Sequence, residues 1–284
     1  MTTEKQKWLE RPIHPALPGI TNEIILFAAI ILLTIVTRFY DLETRVMSHD
    51  ESLHTYFSWL FYRGQGYQHS PMMHGPLQFH LLAITYFLFG VSDFTARIPA
   101  VVFSIATVWM FWYWRRYLGK TGAIIAGFLM VISPYMLYYG RYVRNEAYAG
   151  LAGIVLLYAI LRYLENGNKR YLYWVSLALV IHFTAKETAF IYAAQALLFL
   201  TIYFIAQVTQ KPWQENETLF RTFIILLAIS ILLVGGAFGY GLYERSGGTL
   251  TGAETAMPAD PTMPQSPLAS PESAISLISI FVIG

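Results

Sequence analysis

The sequence predicts an all-α, polytopic transmembrane helical bundle, and three observations carry that prediction. Hydrophobic residues make up 56% of the 284 positions and charged residues only 13%, about half the charge of a soluble domain. A chain so poor in charge cannot solvate its own surface, and lipid is the alternative solvent. Several apolar runs approach the roughly 20 residues needed to cross a bilayer core. Aromatics reach 16%, with 20 Tyr and 7 Trp, which suits rings seated at the two membrane interfaces.

The first apolar run starts near Ile20, behind a polar tail bearing Lys5, Lys7 and Arg11. No small-residue cleavage site follows it, so it reads as an uncleaved first span. Expected spans are 20–39, 98–114, 121–140, 147–163, 171–185, 188–208 and 222–242. An eighth begins near Ala274 and reaches Gly284 in mid-helix, so the chain reads as the N-terminal part of something longer, or a truncated relative of it.

Run 76–91 (PLQFHLLAITYFLFGV) is short, opens with Pro76 and carries Gln78 and His80. Whether it crosses decides the orientation of everything after it. Three short connections are basic: Arg115, Arg116 and Lys120; Arg162, Lys169 and Arg170; Lys211 and Arg221. They share the cytoplasmic side with the basic tail only if 76–91 does not cross. The run is therefore expected as a juxtamembrane helix on the outer leaflet. Segment 40–97 becomes an outer loop with juxtamembrane helices, and 243–273, rich in Gly, Pro, Ser and Thr with Arg245 its single basic residue, a second outer loop. The chain is read as an integral, multi-pass plasma-membrane protein whose working face lies outside the cytoplasm.

Several function classes fall away. With no Cys, disulfides, thiolate-zinc sites and thiol catalysis are excluded. A net charge of +2 without a basic stripe argues against nucleic acid as a partner. The 20 glycines form no phosphate loop. His49 and His54 are five apart, which is not the i, i+4 pair of a helical zinc peptidase motif.

The outer face collects charge. Segment 48–54 reads Ser-His-Asp-Glu-Ser-Leu-His. Neighbouring carboxylates point in different directions on a helix or strand, so Asp50 and Glu51 are expected to have separate jobs. Taken alone, such a pair equally suits a solvated loop. Turn 140–148 carries Arg141 and Arg144, three apart and on one face if helical, with Glu146 beyond them. Charges between apolar runs are costly unless paired or functional. Arg97 opens one span and Lys186 lies between two others, while His74 precedes Gly75-Pro76-Leu77. A carboxylate pair with several cations is what an anionic, lipid-linked substrate needs: cations for a phosphate, a carboxylate for a proton.

In this order, these residues resemble the GT-C class of membrane glycosyltransferases, in particular the protein O-mannosyltransferase and lipid A aminoarabinose transferase family. The wording is nearest to its mannosyltransferase-like branch associated with flippase activity. That family has an Asp-Glu pair after the first span (here Asp50-Glu51) and a His-Pro-Pro-Leu segment (His74-Gly75-Pro76-Leu77, with Gly for the first Pro). Next come Arg-x-x-Pro-Ala (Arg97-Ile98-Pro99-Ala100), Arg-Tyr-x-x-x-Asp (Arg141-Tyr142 with Glu146 for the acid) and a Lys at the outer end of a later span (Lys186). The likeness covers about 45–190.

The resemblance implies inverting transfer from a polyprenyl-phosphate-linked sugar to an acceptor on the outer face, within membrane lipid and with no soluble cofactor. Asp50 would be the general base. Arg97, Arg141, Arg144 and Lys186 would hold the phosphate, with His74, His49 and His54 in support. Glu51 and Glu146 would orient these cations or hold a divalent metal ion, which stays open. Two other readings are a non-enzymatic membrane subunit or truncated helper in a larger complex, and a secondary transporter. A transporter would want inverted repeats and midplane charges, and neither shows in the sequence.

Overall fold

The computed structural model describes residues 8–67, 74–210, 213 and 216–247. Nine α-helices are formed among them. They are α1 (Asn22–Phe39), α2 (His49–Tyr62), α3 (Leu77–Phe89), α4 (Asp93–Ile132), α5 (Pro134–Tyr139), α6 (Glu146–Asn166), α7 (Arg170–Ala185), α8 (Ala189–Thr209) and α9 (Glu217–Gly247). The chain divides into two units: one ends at Thr209, and the second, from Gln210, contains α9.

Five helices, α1, α4, α6, α8 and α9, are long and apolar enough to span a bilayer. The protein is an integral membrane protein. Side chains such as Leu32, Phe190, Leu197 and Leu232 stay exposed, which water would penalise and lipid does not.

Helix α4 holds two runs folded against each other. Gly119 sits at φ 71°, ψ 168°, a left-handed conformation that glycine adopts without a Cβ clash. The ends of α1 locate both arms. Near its start, Glu23 pairs with Arg115 and Lys120. At its other end, Arg38 donates to Ser104 Oγ and to the carbonyls of Met130 and Val131. Both arms therefore run alongside α1, in opposite directions. The run expected as one span over 121–140 breaks at Ser133–Pro134. Pro134 lacks the N–H a continuing helix needs, and Ser133 instead caps the short α5. Residues 243–247, expected in an outer loop, belong to α9. The rest of that loop and the run from Ala274 lie outside the described residues.

Charges in the first unit gather at the two ends of α1, about 27 Å apart at 1.5 Å per residue. One end holds Glu10, Glu23, Arg115 and Lys120, and a second cluster joins Arg116 and Arg162 through Glu165. The other holds the candidate functional residues. Helix α3 stays at this second end throughout. The N–H of Gly75, just before it, donates to the Ala185 carbonyl. Gln78 donates to the Val143 carbonyl, and Leu82 and Tyr86 pack with Ala96 and Val143.

Candidate functional site

Helix α2 begins with a capping box. Ser48 accepts from the Glu51 N–H and the Glu51 carboxylate accepts from the Ser48 N–H, satisfying two orphan backbone donors. The Glu51 side chain is fully buried. Its Oε1 accepts from Arg97 Nε at 3.1 Å and the Val143 N–H at 3.2 Å. Its Oε2 accepts from Arg45 Nη2 at 2.7 Å, the Ser48 N–H at 3.2 Å and Arg97 Nη2 at 3.4 Å. Arg97, also buried, donates further to the carbonyls of Leu42 and Arg45. Ser48 Oγ and Tyr142 OH lie 2.6 Å apart.

This hub ties the α1–α2 turn, α2, α4 and the 140–145 turn together. Set beside the roles expected at a metal and a phosphate, both Glu51 oxygens accept from protein donors, and buried Arg97 makes four hydrogen bonds, to Glu51 and to the carbonyls of Leu42 and Arg45. A helix turns each successive side chain, so adjacent Asp50 points elsewhere. Its carboxylate is 42% exposed and meets Arg144 Nη1 at 2.9 Å.

From Asp50 the charges run on in sequence. Arg144 Nε lies 3.6 Å from Glu146 Oε1, and Lys186 Nζ donates to the same oxygen at 2.9 Å. Glu146 Oε2, inaccessible to solvent, has no partner. His74 Nδ1 lies 2.6 Å from Glu187. Burial alone would raise the Glu187 carboxyl, but its own backbone N–H and the His74 contact hold it below its usual range. His74 takes a positive φ of 63°. At Gly75 an added Cβ would collide with the Thr184 carbonyl, so the α3 entrance presses against the end of α7. Beside Glu146 and Lys186 opens a cavity of about 300 Å³, walled by Tyr135, Tyr139 and Tyr192.

The other histidines separate. His49 is exposed in the first turn of α2. His54 is buried with its ring 5.5 Å from Phe79. Burial first, then the charges of His74 and Arg144, lowers its pKa to about 4, so it is a neutral packing residue. Asn145 is fully buried, and neither of its side-chain polar atoms has a partner. No group of three or more His, Asp or Glu gathers as metal ligands among the described residues.

Arg141 does not join Arg144. The segment between them is a turn, with the Arg144 N–H on the Tyr142 carbonyl, so helical spacing does not apply and the side chains diverge. Arg141 donates to the carbonyls of Tyr40 and Asp41 and lines a separate cavity of about 580 Å³ with Arg45 and Tyr138. Sequence reasoning missed the roles of Arg45, Ser48 and Tyr142. Ser48 with Glu51 three on is the spacing of a capping box and could have been read, whereas the Ser48–Tyr142 contact spans 94 positions and no spacing announces it.

Residues 73–234, more than half of the chain, match the sequence profile described as dolichyl-phosphate-mannose-protein mannosyltransferase. The fold is similar to the crystal structure of ArnT from Cupriavidus metallidurans in the apo state, with a TM-score of 0.53 at 16% identity. That likeness covers 79% of this chain and 42% of the other, so this chain spans less than half of that protein's length. No curated protein matches.

Proposed function

The chain belongs to the dolichyl-phosphate-mannose-protein mannosyltransferase family, and on that premise we propose that it moves a sugar from a polyprenyl-phosphate donor to an acceptor hydroxyl. The observation that carries this reading is the continuous chain Asp50–Arg144–Glu146–Lys186 beside an aromatic-walled cavity. It sets one accessible carboxylate next to cations fit for a phosphate.

In the proposed reaction the acceptor O–H proton passes to the Asp50 carboxylate. The oxygen attacks the anomeric carbon as the bond from that carbon to the phosphate oxygen breaks, and the polyprenyl phosphate leaves with the electron pair. Attack opposite the leaving group inverts the anomeric centre. Arg144, Lys186 and His74 balance the growing phosphate charge, and preorganised donors of this kind are worth about 3 kcal/mol each in a shielded site. A phosphate that takes over Arg144 also releases Asp50 from its ion pair, coupling donor binding to the base. The Glu51 hub positions Asp50 without touching the reacting atoms. Positive loops at the Arg115–Lys120 end favour the cytoplasm there, which supports an outer-face position for this site.

The test is transfer from a radiolabelled polyprenyl-phosphate sugar in membranes containing the chain. Asp50→Asn keeps the shape and removes the proton acceptor. A loss of about 10²–10⁴-fold is expected, with donor-lipid binding retained. Wild-type turnover in this variant removes Asp50 as the base. No transfer by the unaltered chain with any donor favours a non-enzymatic membrane subunit.

A further inference from the structure

The cavity that takes Arg141 is built differently from the one beside Lys186. Its walls include Tyr40, Asp41, Thr44, Arg45, Tyr138 and Arg141, around about 580 Å³. Arg45 stands 39% exposed, with its guanidinium carbon 4.9 Å from the Tyr138 ring centre and 5.2 Å from that of Tyr142. One of its nitrogens serves Glu51, and the residue lines the cavity. Arg141 meets only backbone carbonyls, and among the described residues no carboxylate lies within ion-pairing distance of it.

The charges around Arg141 are unbalanced. Burial lowers its pKa, and the neighbouring Arg97 and Arg45 lower it further, with Asp41 opposing. Arg38 lies close enough to feel the same charge, and it too bonds only to hydroxyls and carbonyls. Arg45, Arg141 and Asp41 line the cavity, Arg97 and Arg38 add positive charge near Arg141, and Glu51 is already consumed by Arg45 and Arg97. A cationic surplus in a partly desolvated cleft calls for an anion.

Depth in the membrane narrows the ligand. The cavity opens at the C-terminal end of α1, where Tyr40 and Tyr138 are exposed, the level at which aromatic rings mark the headgroup region. Two arginine forks with a tyrosine rim suit phosphate oxygens. We propose that this cavity binds the phosphate headgroup of an anionic membrane phospholipid, at a site separate from the sugar-transfer site.

The proposal goes beyond the transferase reading and is tested without any transfer assay. The full chain is reconstituted in phosphatidylcholine nanodiscs containing phosphatidylglycerol, then released and weighed by native mass spectrometry to count retained lipids. Unaltered protein should retain phosphatidylglycerol in preference to phosphatidylcholine. Arg141→Gln should lower that retention about tenfold, the scale of one lost charge-assisted contact, while Arg63→Gln, an exposed cation elsewhere, should not. Thr44→Trp, which fills the cavity and keeps both arginines, should act like Arg141→Gln, and it serves if that variant fails to fold. Excess glycerol phosphate or inorganic phosphate should not displace the lipid. Equal retention of the two lipids by unaltered protein, or an Arg63→Gln loss as large as that at Arg141, overturns the proposal. Displacement by soluble phosphate overturns the lipid assignment in favour of a free-anion site.

Discussion

Glu51→Gln isolates what the buried hub contributes. Glutamine keeps the volume of Glu51 but turns one acceptor oxygen into an NH₂ donor. Each oxygen already faces donors: Oε1 meets Arg97 and the Val143 N–H, and Oε2 meets Arg45, the Ser48 N–H and Arg97. Whichever way the amide turns, donor meets donor, and buried Arg97 keeps its charge without a counter-ion. Breaking one side of a buried pair costs about 3–5 kcal/mol. At about 2–4 °C per kcal/mol for a chain of this size, the melting point should fall by roughly 10 °C. Tryptophan fluorescence in nanodiscs follows the transition. Adding Arg97→Gln to Glu51→Gln should cost less than the two single losses summed, because no fully buried charge is left bare and Arg45 is partly exposed to solvent. A single variant that melts within about 2 °C of the parent, below the shift for 1 kcal/mol, refutes the hub.

Three further outcomes follow from single residues. His54 titrates near 6.5 when unfolded and near 4 when folded, so stability is fully present above about pH 6.5 and is lost as pH falls toward 4. Between pH 7.5 and 5 that loss is about 2 kcal/mol, and His54→Phe, which keeps a ring against Phe79, should flatten this part of a melting-point profile. Gly75→Ala should cost about 1–3 kcal/mol by overpacking against the Thr184 carbonyl, whereas Gly64→Ala, with open space around it, should show only the smaller strain of a positive φ; equal losses in thermal melts would remove the close-approach argument. Leu118→Cys, beside the Gly119 reversal, should resist an impermeant maleimide in intact cells and react after permeabilisation. Labelling from outside would invert the proposed orientation.

Helical class and most apolar runs were legible because lipid imposes long apolar segments, and composition alone records that demand. The break at Pro134 was also in the letters: the missing N–H ends α4 at Ile132 and starts α5, though hydropathy alone ran straight through it. Gly75 is more instructive. It departs from the His-Pro-Pro-Leu pattern of the resembling family, and the structure supplies a reason. Its N–H bonds to the Ala185 carbonyl and its missing Cβ lets α7 approach, neither of which proline would allow. The division of labour between Asp50 and Glu51 was expected from their adjacency. Which residue would be buried was not, because Arg45 and the Val143 N–H arrive from 6 and 92 positions away. Likewise, helical spacing placed Arg141 and Arg144 together, and a turn sends them apart.

That divergence joins the two cavities to one support. Consecutive tyrosines on α5 divide them, with Tyr138 walling the Arg45–Arg141 cavity and Tyr139 the Lys186 cavity. The turn that follows delivers Arg141 to the first and leads to Glu146 in the second, with Arg144 reaching Asp50 between them. Midway, the Val143 N–H is held by Glu51, and Tyr142 is held by Ser48 in the same capping box. The α2 N-terminus therefore braces the turn that runs between the two cavities, and it carries Asp50 on its exposed side.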